Sequence, residues 1–172
     1  MRYLIYVLPI FFLVISCGNP NVDESLEIPP MYKRIGFHKD QIKFWLKDQI
    51  PTKDNDSSLV YRYYETDYMY EEILYSLESE KVTSVLKAFY YTDMDYQKYS
   101  SEKRFADWIT ELRREQFTDE GSKVLKDKKN HIDGIMARMF SSDKKFMAIL
   151  LFNWNDWTKE ATTTVMFSKN DQ

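Results

Sequence analysis

The chain has 172 residues, 24 of them Lys or Arg against 27 Asp or Glu, a formal net charge of −3 and 44% hydrophobic residues. That length suffices for one domain with a real core, and the slight acidity excludes the basic footprint of a nucleic-acid binder. Scattered glycines (Gly18, Gly36, Gly121, Gly134) exclude a phosphate-cradling loop, and no Gly-x-Ser-x-Gly elbow is present.

The first seventeen residues have the layout of a secretory signal. Arg2 and the amino terminus supply a positive start, Tyr3 to Ile15 is almost wholly apolar, and Val14-Ile15-Ser16 leads into Cys17, the sole cysteine. The run falls short of the roughly 20 apolar residues of a membrane-spanning helix, and Pro9 interrupts it. An uncleaved anchor and an ordinary cleaved signal are the competing readings. The ordinary signal suffers because Val14 and Ile15 are not small.

Val14-Ile15-Ser16-Cys17 resembles the lipobox of bacterial lipoproteins. The resemblance implies that Cys17 receives a diacylglycerol and becomes the first residue after cleavage. It implies a lipid-anchored protein of the cell envelope, on the periplasmic or surface side. Gly18 does not resemble the aspartate that retains such proteins at an inner membrane, so the outer membrane is expected. No polybasic patch follows Cys17, and attachment rests on the acyl chains. With its only thiol spent, the chain has no disulfide and must be stabilised by packing.

Gly18 to Met31 is poor in core-forming residues and reads as a tether. The expected division is a signal peptide over 1–16, a lipidated tether over 17–34 and one α+β domain over 35–172. Phe37 to Ile50 fits either a helix or a strand, and Pro51 ends it. Leu59 to Glu65 is rich in strand formers. Asp67 can cap a short helix carrying Met69, Tyr70, Ile73, Leu74 and Leu77, with a hairpin as the competing reading. Ser79-Glu80-Lys81 turns the chain into a strand over Val82 to Thr92.

Phe105, Trp108, Ile109 and Leu112 define the core face of an amphipathic helix over Ser101 to Phe117, capped by Ser100 or Ser101. Strands are expected at Lys123 to Asp127, Ile132 to Phe140, Lys145 to Trp154 and Ala161 to Ser168. Phe146 to Phe152 is apolar at every position, which predicts a central strand covered on both sides. The fold class is α+β: an antiparallel sheet packed against one main helix, in a single domain on a flexible N-terminal tether.

Candidate chemistry is sparse. His131 and Asp133 stand two apart, and Asp93-Met94-Asp95 resembles an ion-holding acidic pair; solvated strand ends and a loop explain them more simply. Asn153, Asn155 and Asp156 lack the spacing of a calcium loop. No catalytic residue, cofactor or metal is expected. Trp154 and Trp157 bracket a polar loop, and of 13 tyrosines most lie between Tyr61 and Tyr99. Exposed, such rings would take a protein or glycan partner; buried, they are core.

From Val82 onward the element order (strand, amphipathic helix, short strand, hairpin) is similar to the PsbP and Mog1-like fold of small exported lipoproteins, including the DcrB type. The strand-like Ala161 to Ser168 replaces a closing helix of that fold. The resemblance implies a non-catalytic binding or assembly accessory. The alternatives are an envelope hydrolase or metal-dependent enzyme using Asp93, Asp95, His131 or Asp133, and a periplasmic inhibitor of the immunity type.

Overall fold

The computed structural model describes residues 19–91, 97–129, 131–155 and 157–170. Over these residues the chain forms one eight-stranded antiparallel sheet built from two meanders. The first comprises β1 (Lys53–Asp54), β2 (Ser58–Thr66), β3 (Met69–Glu78) and β4 (Lys81–Tyr91), preceded by the short helix α1 (Lys39–Trp45). The long helix α2 (Gln97–Arg114) leads to the far edge, from which β5 (Phe117–Asp127), β6 (Ile132–Ser141), β7 (Phe146–Asn155) and β8 (Glu160–Lys169) step back to the centre. The order is β1-β2-β3-β4-β8-β7-β6-β5, so the last strands of the two meanders pair with each other.

Local chemistry explains most boundaries. Ser79 and Glu80 both adopt positive φ (49° and 63°), the backbone that a two-residue hairpin needs to match strand twist. His38 caps α1 by accepting the Asp40 amide at Nδ1, 3.2 Å away. Within α1, Ile42 and Trp45 are buried, so the ambiguous stretch before Pro51 is helical.

The helix expected after Asp67 is instead β3, paired along its length with β2 and β4. Ile73, Tyr75 and Leu77 alternate inward, a spacing of two that a helix cannot bury together. Helix α2 starts one turn before Ser101, so Ser101 is an interior, fully buried residue rather than a cap. Its carbonyl accepts the Thr163 hydroxyl at 2.6 Å, pinning α2 to β8. The helix stops before Gln116, whose positive φ of 65° ends it, and Phe117 opens β5. That strand runs from Phe117 rather than from Lys123.

Upstream, residues 19–30 hold no helix or strand and run along α1. The Asn19 side chain donates to Asp40 (2.7 Å), the Asp23 amide to the Gln41 side chain (2.6 Å), and the Trp45 indole to the Leu26 carbonyl (3.0 Å). A 3-10 turn follows at Met31–Arg34, and its buried Tyr32 packs edge-on against Phe117 and Phe146.

Both helices and this turn lie on one face of the sheet. Register places Tyr61, Ile73, Tyr75, Val85, Phe89, Val165, Phe167, Leu150, Phe152, Ala137 and Met139 on that face, and all are buried. Helix α2 contributes Phe105, Trp108 and Leu112 to the same core. Among the described residues strand β7 is therefore covered on one side only: Ala148, Leu150 and Phe152 are buried, whereas Met147, Ile149 and Leu151 on the other side are half-buried.

Candidate functional site

The uncovered face is made by the alternate residues of the same strands. Val60, Leu74, Leu86, Met166 and Ile149 stand side by side in one register row across β2, β3, β4, β8 and β7. A second row carries Ala88, Thr164, Leu151 and Met136 between Arg62 and Glu72 at one end and Lys123 at the other. Among the described residues no helix covers these rows. Leu74, Leu86, Ile149, Leu151 and Met136 are half-buried and Met166 is 38% exposed, while Val60 and Ala88 in the same rows are buried.

One corner of this face is aromatic. Tyr70 and Tyr90 stack at 4.7 Å, Tyr64 leans on Tyr70 at 5.7 Å, and the Arg62 guanidinium lies 4.7 Å from the Tyr70 ring centroid. Arg62 also pairs with Glu72 at 2.8 Å, which neutralises that corner. Burial pushes the Tyr90 phenol up, with the Glu72 carboxylate adding to it. At the opposite end Arg138, in register with Ile149, and Lys123 are exposed. The face thus runs from a neutral tyrosine corner through an aliphatic middle to a basic edge.

The covered face holds a different polar arrangement. Glu71 accepts from Lys87 (2.8 Å) and lies 3.3 Å from Arg104, which also reaches Glu65 at 2.6 Å. Lys87 stands 4.9 Å from the Trp108 ring centroid and Arg104 4.4 Å from that of Phe89. This cluster ties α2 to β2, β3 and β4, with two cations balancing two carboxylates. Burial pushes the Tyr61 and Tyr63 phenols up to about 12, so both remain neutral donors at ordinary pH. Tyr75 is also raised by burial, against the pull of the Arg34 charge.

Of the residues singled out from sequence, Trp154 lies in the core at 8% exposure, on the covered side of β7. Trp157 is 77% exposed at the β7–β8 turn, its ring 5.1 Å from that of His131. The two tryptophans therefore do not share a surface. His131 and Asp133 line a shallow depression of about 200 Å³ with Asp127 and Lys128. Cys17, Asp93, Asp95 and Asp156 lie outside the described residues. Among the described residues no group of three or more His, Cys, Asp or Glu is placed to hold a metal ion. No described helix is long and apolar enough to cross a membrane.

The aliphatic rows escaped sequence reasoning, although their signal was present. A strand apolar at every position predicts cover on both sides, and the missing cover becomes visible only when the helices are placed. The protein is thus of the α+β class, with a broad antiparallel sheet covered on one side. The chain matches no protein-family model, no curated protein and no solved structure.

Proposed function

We propose that this chain is a lipid-anchored protein of the bacterial envelope, a non-catalytic accessory that binds a protein partner across the uncovered face of its sheet. Acylated Cys17 holds it at the membrane, with the few residues after it as the tether. The observation that carries the binding reading is the partly exposed aliphatic row from Leu74 through Leu86 and Met166 to Ile149, left without a helix among the described residues.

Size and chemistry support a protein as the occupant. Strands spaced about 4.8 Å apart make the six central ones roughly 25–30 Å wide, and a height of seven to eight residues adds about 25 Å. The product is on the order of 700 Å², close to the ~800 Å² per partner of a standard protein interface. The tyrosines at the corner stack on one another instead of offering a free platform for a sugar ring. The middle is aliphatic, and Arg138 and Lys123 at one edge call for a partner with an apolar patch and an acidic border.

The test places a photo-crosslinking residue at Ile149 in the native host, with a control at exposed Lys47. One protein is expected to be captured from position 149 alone, and capture should be lost on Leu86→Glu and weakened on Arg138→Glu. Equal capture from both positions, or capture indifferent to Leu86→Glu, overturns the proposed surface. Separately, Cys17→Ser should abolish labelling by a clickable fatty acid and release the chain from membranes. Continued labelling would overturn the anchor.

A further inference from the structure

Beneath α2, next to the 3-10 turn at Met31–Arg34, lies a cavity of about 220 Å³ on the covered side of the sheet. It is separate from the uncovered face. Met31, Leu112, Val165 and Phe167 give it an apolar wall, and Arg34 and Trp108 also line it.

Two donors at this cavity are unsatisfied in different ways. Trp108 is 3% exposed, and its indole N–H has no acceptor among the described residues. A buried N–H left unpaired costs about 1–3 kcal/mol, so its persistence points to an acceptor that arrives from outside. Arg34 is half-buried and, among the described residues, donates to neutral groups, the Pro29 carbonyl at 3.0 Å and the Tyr75 hydroxyl at 2.5 Å. Among the described residues no carboxylate stands within ion-pair distance of it.

The neighbouring charges do not supply what is missing. Lys87 also lines the cavity, but Glu71 neutralises it at 2.8 Å. Glu111, on the exposed side of α2, and Glu115, just past its end, line it too; both are exposed to solvent, and partial desolvation together with the Glu111 charge raises the Glu115 carboxyl. Arg34 remains the one cation at the cavity whose charge no described ion pair balances.

We infer that this cavity binds a small monocarboxylate with a short apolar tail, the tail against Leu112, Val165 and Phe167 and the carboxylate accepting from Trp108 Nε1 and Arg34. The volume lies below the roughly 300–1,000 Å³ of drug-sized sites, which limits the ligand to a short chain or a single ring. This inference does not depend on the uncovered face or on the lipid anchor.

The test uses the full chain in lipid nanodiscs, with hexanoate as the probe and hexylammonium as a control of equal tail length. Hexanoate should move the Trp108 indole N–H resonance downfield and saturate at roughly millimolar concentration or below. Hexylammonium should leave that resonance in place. Arg34→Met should weaken hexanoate roughly tenfold or more, the loss of one charge-assisted hydrogen bond. Trp108→Phe keeps an aromatic side chain but removes the donor together with part of the indole's bulk. It should melt earlier than the wild type but stay folded at the assay temperature, and it should weaken hexanoate in calorimetry. Leu112→Trp, which fills the cavity, should abolish binding. The inference is overturned if hexanoate gives no saturable shift or if hexylammonium shifts the resonance equally. It is also overturned if Trp108→Phe, shown to be folded at the assay temperature, binds hexanoate unchanged.

Discussion

Two faces of one sheet, built from alternating residues of the same strands, are packed differently. On the covered face Leu150, Ala148 and Met139 are 0% exposed, and ring systems interlock from Tyr61 to Phe167. On the other face Leu86, Ile149, Leu151 and Met136 are just as apolar but only half-buried. A face destined for water would carry polar residues at those alternate positions. Apolar side chains there add nothing comparable to the core, and under the proposed function their energetic return comes when a partner covers them. The comparison teaches that identical residue types in adjacent positions end up closed into a core or left half in water, depending on which side the helices take.

The sharpest way to break the comparison is a matched pair of truncations in β7. Leu150→Ala should cost about 2–5 kcal/mol, because it opens a cavity in a closed core. Ile149→Ala, one residue away, should cost about 1 kcal/mol or less, since its side chain is half in water already. Urea melts would measure both. Equal losses would mean that the second face is as closed as the first.

Next in size is Glu71→Gln. It removes the carboxylate that Lys87 and Arg104 share on the covered face, leaving partly desolvated Lys87 without its carboxylate and Arg104 with Glu65 alone. A loss of about 2–3 kcal/mol is expected. Neutralising the pair on the uncovered face by Glu72→Gln should cost less than about 1 kcal/mol, because that pair is more exposed. A reversal of this order would show that α2 is not held by the cluster.

The same two-sidedness governed what could be read from the chain. The strands at Ser58–Thr66, Ile132–Ser141 and Glu160–Lys169 and the core face of α2 were legible, since β-branched and aromatic runs and a three-four spacing leave few alternatives. Strand β3 was not. Met69, Tyr70, Ile73, Leu74 and Leu77 fit a helical stripe only because Tyr70 and Leu74 belong to the uncovered face while Ile73 and Leu77 belong to the covered one. An apolar second face fills the gaps that would have exposed the period of two. Of the site, the tryptophans were visible as rings, but whether they are core depends on strand direction, which put Trp154 inside and Trp157 outside. Arg34 gave no signal at all, because its partners Pro29 and Tyr75 are joined to it only by folding.

The smallest effect concerns how the sheet's covered side is fastened at its N-terminal margin. Asp40 of α1 is held below the usual carboxylate value of 3.8, chiefly by the hydrogen bond from Asn19, against the opposing effect of desolvation and with help from His38 and Lys43. A carboxylate depressed in the folded state contributes stability that is present above its unfolded value and is lost as pH falls through its folded one. The contact of residue 19 with α1 should therefore weaken only in acid, below pH 3.8. Asn19→Ala removes the main cause, so the Asp40 titration followed by carbon NMR should move up toward the ordinary value. Amide exchange over residues 20–26, corrected for intrinsic rates, should then quicken at neutral pH as well. An Asp40 titration that ignores the substitution would mean that desolvation and His38, rather than the N-terminal segment, set its charge.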